Sequence, residues 1–594
     1  MNVPSRTPNN PQLGFRSGPP NAYYEAYDVF QDADRFTGSF QFTNRPTSWL
    51  NHRLIVGLDR LAENNEDRTP RNDIIGATYA SFAGSGLPTA GAINTSTRDV
   101  TLTSYDYVAN ADFKLLPSVK SVTSVGGQIY MRQSRLRAIS GTTFPAVGLT
   151  SIASASIRNV GSDELVQNNT VGAFVQQQFV WNDRLFLTAA IRTDDNSAFG
   201  TNFDAVTYPK LSASWVLSDE PSLPIPAFFN QLRVRSAYGA SGLQPGAFDA
   251  IRTYTASGGF LTPSSAGNPE LGPERSTELE VGLDAGMWND RVGLEVTYFA
   301  GTTRDAILSR QAPPSNGFPG LQLFNAGQVD RNGFEWLLRG TPLRRDNVSL
   351  ELTLSGSVNS YNIASLGGTT EFVSLSSNVA HKVGYAPGSW WDRRIVSADY
   401  DANTKRTTNL LCDNGAGGTV GCATAPRVFL GNSVPMQEGS FSAGLTLFRN
   451  LRVNAFVDWR GGYKKLDGNY RVRCGAFVLC RELYYPDEVQ DKALLGAVQA
   501  GTAFTHHLIS DASFARFREL AATYTLPQSI ARRLGASRAS VTVAGRNLGL
   551  WTNFPGIEPE ASFNGGTRGG AFGQWEQSVL PQLRQFVTTV NFNF

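Results

Sequence analysis

The chain closes with Gln585-Phe586-Val587-Thr588-Thr589-Val590-Asn591-Phe592-Asn593-Phe594. Phe586, Val590, Phe592 and Phe594 fall on one parity; Val587, Thr589, Asn591 and Asn593 fall on the other. Side chains of a strand alternate between faces, so one face here is largely apolar and the other mostly polar. The last residue is itself aromatic. A water-soluble domain gains little from such an end. A strand whose outer face meets lipid, and whose end meets a membrane interface, gains a good deal.

The same two-faced pattern recurs upstream. Leu279, Val281, Leu283, Ala285 and Met287 alternate with Glu278, Glu280, Gly282, Asp284 and Gly286. Val292, Leu294, Val296 and Tyr298 alternate with Gly293, Glu295 and Thr297. Leu451, Val453, Ala455, Val457 and Trp459 alternate with Arg452, Asn454, Asp458 and Arg460. Period two over such lengths predicts strands rather than helices. A polar face that carries real charges is solvent-facing in a sandwich and lumen-facing in a wide barrel.

Composition narrows the choice. A formal net charge of +2 gives no basis for binding a polyanion, so no nucleic-acid partner is expected. No apolar run approaches the roughly 18 residues of a membrane helix, which leaves the outer-membrane barrel as the membrane class still open. Met1-Asn2-Val3-Pro4-Ser5-Arg6 is not followed by an apolar signal core, so the expectation is a removed signal or a start within a longer gene.

Alternation marks about 17 strands between residues 36 and 594. Short connections with turn chemistry (181–183, 288–290, 342–346, 449–450) alternate with long ones (61–97, 134–169, 241–274, 361–437, 464–511, 548–582). Short turns at one end and long loops at the other are the up-and-down meander of outer-membrane barrels, with the short turns periplasmic. Counting back from the last strand, residues 1–35 start on the outer side, as an outer-loop or disordered segment before a barrel over 36–594. Bacterial barrels of one chain have an even strand count, so an odd count predicts an incomplete barrel.

At this point several stretches resemble the SusC/RagA-type TonB-dependent outer-membrane transporters. Asn268-Pro269-Glu270-Leu271-Gly272-Pro273-Glu274, leading to Glu278, resembles a family segment that opens a strand. Asn325-Ala326-Gly327-Gln328-Val329-Asp330-Arg331-Asn332-Gly333-Phe334-Glu335 resembles another. Phe517-Arg518-Glu519-Leu520 with Tyr524-Thr525-Leu526-Pro527, then Gly545-Arg546-Asn547-Leu548 and Trp551 to Glu560, resemble the family's C-terminal segments. The resemblance implies a barrel of about 22 strands, which leaves about five beyond this count. No plug, signal or TonB-contacting segment is recognisable. The resemblance further implies import of oligosaccharides or peptides, an outer-membrane location, a SusD-like surface lipoprotein as partner, and contact with the TonB complex only through the missing N-terminal part. It also makes Phe586, Val590, Phe592 and Phe594 the signal for the outer-membrane barrel assembly machinery. A porin-like passive channel or a surface adhesin is the alternative.

Within the long loops, Trp390, Trp391, Tyr463, Tyr470, Tyr484 and Tyr485 are candidate substrate-binding aromatics, because ring faces stack on sugars and bury peptide side chains. The competing reading is loop packing or an interfacial belt. Cys412 with Cys422 and Cys474 with Cys480 are close pairs expected to form disulfides in an oxidising compartment; neither has the spacing of a zinc knuckle. Asp399-Tyr400-Asp401-Ala402-Asn403 has the oxygen alternation of a calcium loop, but Thr404 and Leu410 break the rest of the motif. His506 and His507 are adjacent, a poor spacing for a shared metal. A short helix is expected from Asp487 to Val498, capped by Asp487, and a helical turn from Ser529 to Leu534. The sequence shows no nucleophile elbow, phosphate-binding glycine loop or His-x-x-x-His pair, so neither enzymatic chemistry nor a cofactor is expected.

Overall fold

The computed structural model describes residues 28–594 apart from 72–89, 204, 258, 319, 369–371, 375–377, 477, 502, 562–574 and 578. Its frame is one sheet of 17 strands. In chain order these are β1 (Asp28–Asn44), β2 (Leu50–Thr69), β3 (Ala92–Leu116), β4 (Val119–Thr142), β5 (Ile157–Trp181), β6 (Leu185–Asn196), β7 (Val206–Val216), β8 (Phe229–Leu243) and β9 (Glu274–Met287). They continue as β10 (Val292–Gln311), β11 (Leu321–Arg345), β12 (Val348–Leu366), β13 (Gln437–Leu447), β14 (Leu451–Gly461), β15 (Phe514–Thr525), β16 (Arg538–Thr552) and β17 (Gln585–Asn593). Each strand pairs antiparallel with the next in sequence. No helix of the described residues is long and apolar enough to cross a membrane.

Burial runs inside out. In β9 the side chains of Leu279, Val281 and Leu283 are exposed, while Glu278, Glu280 and Asp284 are half-buried or buried. Along the sheet Phe40, Tyr107, Val175, Leu211, Phe334, Phe441 and Val543 are exposed in the same way. Water would penalise such a surface; hydrocarbon does not. At the short-turn end the apolar band finishes in aromatic rings. Trp49 stacks on Phe113 at 5.2 Å, Phe228 faces Trp288 at 5.8 Å, and Trp181, Trp215 and Phe448 are exposed. Amphipathic rings sit at membrane interfaces, so this is a periplasmic girdle.

Strands β2 to β5 reach further outward than alternation predicts. Residues 61–69, 92–97, 134–142 and 157–169, expected as loop, are ladder. There apolar and polar side chains no longer keep to separate parities (Ile157 and Leu165 on one, Val160 and Val166 on the other), so the period-two signal fades while backbone pairing continues. Strand β1 likewise begins at Asp28, taking in 28–35, the end of the segment expected to lack strand; residues 1–27 lie outside the described residues. At the other end of the sheet, strand β11 runs on to Arg345, so the expected turn at 342–346 shrinks to Asp346 and Asn347. The expected helix cap also moves: the helix is Lys492–Gln499, and Asp491 rather than Asp487 accepts from the Leu494 N–H at 3.0 Å.

β1 and β17 both run from the long-loop end to the short-turn end, because an odd number of antiparallel strands separates nothing but like directions. Among the described residues no backbone pairing joins them.

Candidate functional site

The inner face of the sheet is a lattice of charges of alternating sign. Asp284 accepts from Arg233 Nε at 2.8 Å and from Arg235 Nε at 3.3 Å, and Arg235 also donates to Thr297 Oγ1 at 2.6 Å. Arg331 meets Glu278 at 2.8 Å, Arg192 meets Asp194 at 2.7 Å, and Arg452 meets Glu351 at 2.7 Å. Arg233 and Asp284 are directly opposed across β8 and β9, Arg192 and Asp194 stand two residues apart on β6, and the other two pairs each reach over an intervening strand; all share one face, where opposite charges attract and like charges repel. Between them a recess of about 420 Å³ opens against Gln178, Phe186, Thr188, Arg233, Arg235 and Glu280. A wall of this kind stays wet and offers polar side chains in both signs to a solute.

Over the outer end, the described residues of 367–436, 462–513 and 553–584 fold into one roof. Trp390 is fully buried and its Nε1 donates to Lys464 O at 2.8 Å, within a cluster of Val379, Leu466, Leu508 and Ile509. Asp392 accepts from both the N–H and the hydroxyl of Thr505, at 2.7 and 2.9 Å. Cys412 is joined to Cys422 and Cys474 to Cys480. The helix Lys492–Gln499 lies between the two bridges: Ala497 packs in the first cystine's cluster and its neighbour Val498 in the second's. The cystines thus sit in separate small cores, each too thin to hold a helix alone.

The stretches that carry the resemblance turn out to be locks between distant loops. Asn325 accepts from Gly272 N at 2.8 Å and donates back to Gly272 O at 2.9 Å, while Asn268 donates to Leu323 O at 2.9 Å. Leu271 between them is fully buried. A second lock joins β15 to the following outer loop. Arg516 and Glu558 are both almost wholly buried and paired, and Arg516 Nε lies 2.9 Å from Glu560 Oε2. Arg518 bridges Asp458, at 2.6 Å, and Glu560. Lys465, also fully buried, donates to Pro559 O at 2.8 Å and to Ala561 O. Burial pulls its pKa down to about 8. Both motifs are visible in the sequence; that Arg516 and Arg518 meet Glu558 and Glu560 across forty-odd residues is not.

The six aromatics do not form one site. Trp390, Trp391 and Tyr463 are buried in the roof, so as placed they are packing and not a ligand surface. Trp391 is enclosed by Tyr385 at 4.8 Å and Phe429 at 5.6 Å. Tyr470 is half-buried beneath the Arg473 guanidinium at 5.1 Å. Tyr484 and Tyr485 present open faces, 56% and 58% exposed, on a short helical turn. A loop assembly this long must bury rings to hold itself together, and sequence does not separate those rings from ligand-facing ones. Asp401 caps its own hairpin, accepting from Asn403 N at 2.8 Å and Thr404 Oγ1 at 2.9 Å, which is turn chemistry and not a calcium cradle.

His506 and His507 are half-buried in a single 3₁₀ turn, edge to face at 5.7 Å. Burial, and then the neighbouring His506, bring the His507 pKa from 6.5 down to about 3; burial lowers His506 as well. The folded roof therefore binds fewer protons than the unfolded loop between these two values. Stability from this pair is whole above pH 6.5 and is lost as pH falls towards 3. Protease protection of the roof should decline over that window, and a His506→Gln/His507→Gln double variant should flatten the decline. An unchanged profile in that variant would assign the acid lability elsewhere.

An apolar outward band with a periplasmic aromatic girdle, an ion-paired inner face, and long loops gathered at one end define the wall of an outer-membrane β-barrel. The chain belongs to the TonB-dependent receptor-like β-barrel family, whose profile matches residues 2–548. It is 27% identical over 515 residues to the TonB-dependent receptor P26 of Formosa agariphila, covering 80% of this chain and 51% of that protein. It is 22% identical over 432 residues to the TonB-dependent receptor SusC of Bacteroides thetaiotaomicron, covering 66% of this chain and 42% of that one. The chain thus spans about half the length of the curated relatives it matches. In structure it superposes on the RagAB peptide transporter with a TM-score of 0.81 at 19% identity, over 96% of this chain and 63% of that one. A RagAB structure in an open-open state gives a TM-score of 0.80 at 18% identity, over 97% and 62% of the two chains.

Proposed function

We propose that this chain forms the wall and outer roof of a TonB-dependent importer that takes up oligosaccharides or peptides. The observation that carries this reading is the pairing of a polar, ion-paired inner face with a stapled and locked roof at its outer end. A passive pore needs the first and is hindered by the second. The RagAB structures are described as a peptide importer, which favours the peptide side of the proposal. A SusD-like surface lipoprotein would sit over the loops and hand its ligand down. In this account Tyr484 and Tyr485 touch the ligand, whereas Trp390, Trp391 and Tyr463 hold the roof in shape. Energy coupling through the TonB complex is assigned to no residue of this chain. Phe586, Val590, Phe592 and Phe594 would present the chain to the barrel assembly machinery.

The test uses cells that carry the full-length gene. Labelled peptide mixtures and labelled oligosaccharides are offered with and without TonB. Uptake of one class should require TonB. Tyr484→Ala/Tyr485→Ala should weaken capture about tenfold, the loss of two stacking faces. Uptake of both classes that persists without TonB would replace this reading with the porin-like one. Surface attachment without uptake would replace it with the adhesin.

A further inference from the structure

The outward surface of β10 to β13 carries a groove that the import reading does not use. Register places outward side chains in rows across these four strands. One row is Leu294, Leu338, Leu354 and Phe441; the next, towards the short turns, is Val292, Gly340, Leu352 and Ala443. The first row is a ridge of large side chains. In the second, large residues alternate with a hydrogen and a methyl, so the surface sinks at Gly340. The ladder then bulges between Gly340 and Leu343, and Pro342 and Trp288 close the lower side. The resulting groove measures about 710 Å³ and its lining is almost wholly apolar. Arg291, exposed in the turn between β9 and β10, stands at its periplasmic rim. The adjacent Asp290 carboxylate accepts from Asn230 Nδ2 and forms no ion pair with Arg291 among the described residues.

Two features fix the occupant. The groove lies on the lipid face, inside the aromatic girdle marked by Trp288 and Phe228, where acyl chains end and headgroups begin. Of the two arginines at the groove, Arg339 is paired with Glu295 at 3.5 Å, and the exposed Arg291 is left to meet phosphate, which a guanidinium binds in a forked geometry. We propose that this groove is a binding site for one glycerophospholipid of the periplasmic leaflet, with an acyl chain laid over Gly340 and the phosphate on Arg291. The site is independent of import: it touches neither the lumen nor the roof.

Filling the groove is structurally simple. A Cβ at Gly340 would meet only Pro342 Cδ, at 3.9 Å, so Gly340→Leu occupies the depression without disturbing the ladder. The experiment takes the full-length protein, extracted in mild detergent, and titrates it with phosphatidylglycerol and with diacylglycerol of the same chains under native mass spectrometry. The wild type should retain one phosphatidylglycerol about tenfold more strongly than Gly340→Leu, as expected when a few methylene groups lose their burial. Arg291→Glu should bind diacylglycerol as before but lose its preference for the phosphorylated lipid. Equal retention of phosphatidylglycerol by the wild type and both variants would overturn the proposal. So would a dimer mass that disappears in Gly340→Leu, since a second copy would then be the occupant.

Discussion

Val281→Arg should destabilise the folded barrel by about 2–4 kcal/mol, the range for a cation near the bilayer midplane on a barrel's lipid face. Val281 is one outward step from the centre of the series Leu279, Val281, Leu283, Ala285 and Met287, and 44% of it is exposed to whatever surrounds the sheet. Its cross-strand neighbour Tyr298 is exposed as well, so an arginine there finds no carboxylate. The same substitution at Glu280 turns to the inner face, among Arg235, Glu278 and Glu335, where water and both charge signs are at hand. It should cost far less. Urea titration of the protein folded into liposomes measures both. Equal costs at the two positions would mean that the exposed apolar face does not meet lipid.

Arg516→Met should loosen the roof by about 3–5 kcal/mol, because it strands the buried carboxylate of Glu558 without its partner. Both side chains are almost wholly withdrawn from water, at 4% and 1% exposure. Removing both charges, in Arg516→Met/Glu558→Met, should recover much of the loss, since an apolar pair of similar volume avoids the desolvation penalty. Recovery should be incomplete: Glu560 keeps Arg518 but loses Arg516, and the Glu560 and Gln582 N–H groups lose Glu558 as acceptor. Hydrogen exchange of the described backbone at 553–561 reports the local opening. A single-variant effect below about 1 kcal/mol would place the network in the class of solvated ion pairs.

The two substitutions probe different layers of legibility. The strand at Val281 could be read directly, because a sheet with lipid on one side and water on the other imposes a period of two on every residue it contains. Each of the 17 sheet strands overlaps a stretch marked by alternation alone. The misplaced boundaries all lie where that constraint ends. Residues 61–69 and 134–142 have water on both faces, so composition carries no phase there. Asp487 and Asp491 are equally good caps on paper, and only the path of the roof chose Asp491.

The roof was opaque for a related reason. A long loop with no periodicity buries its rings by folding on other loops, and the partner lies about a hundred residues away. Trp390 is held by Lys464, Asp392 by Thr505, and Lys465 by Pro559. Nothing local marks Trp390 as core and Tyr484 as surface. By itself, then, the sequence determined the strand order, the inward and outward faces, the end that carries the loops, and the family. Those follow from local alternation and turn chemistry, which each strand satisfies alone. Only the tertiary structure decided which aromatics are buried, that the family motifs are paired locks, that a glycine in register with leucines hollows the lipid face, and that the two outermost strands, whose common direction the strand count already implied, do not pair among the described residues. Those depend on register and on contacts between segments far apart in the chain, where the free energy belongs to the pair and is written in neither segment alone.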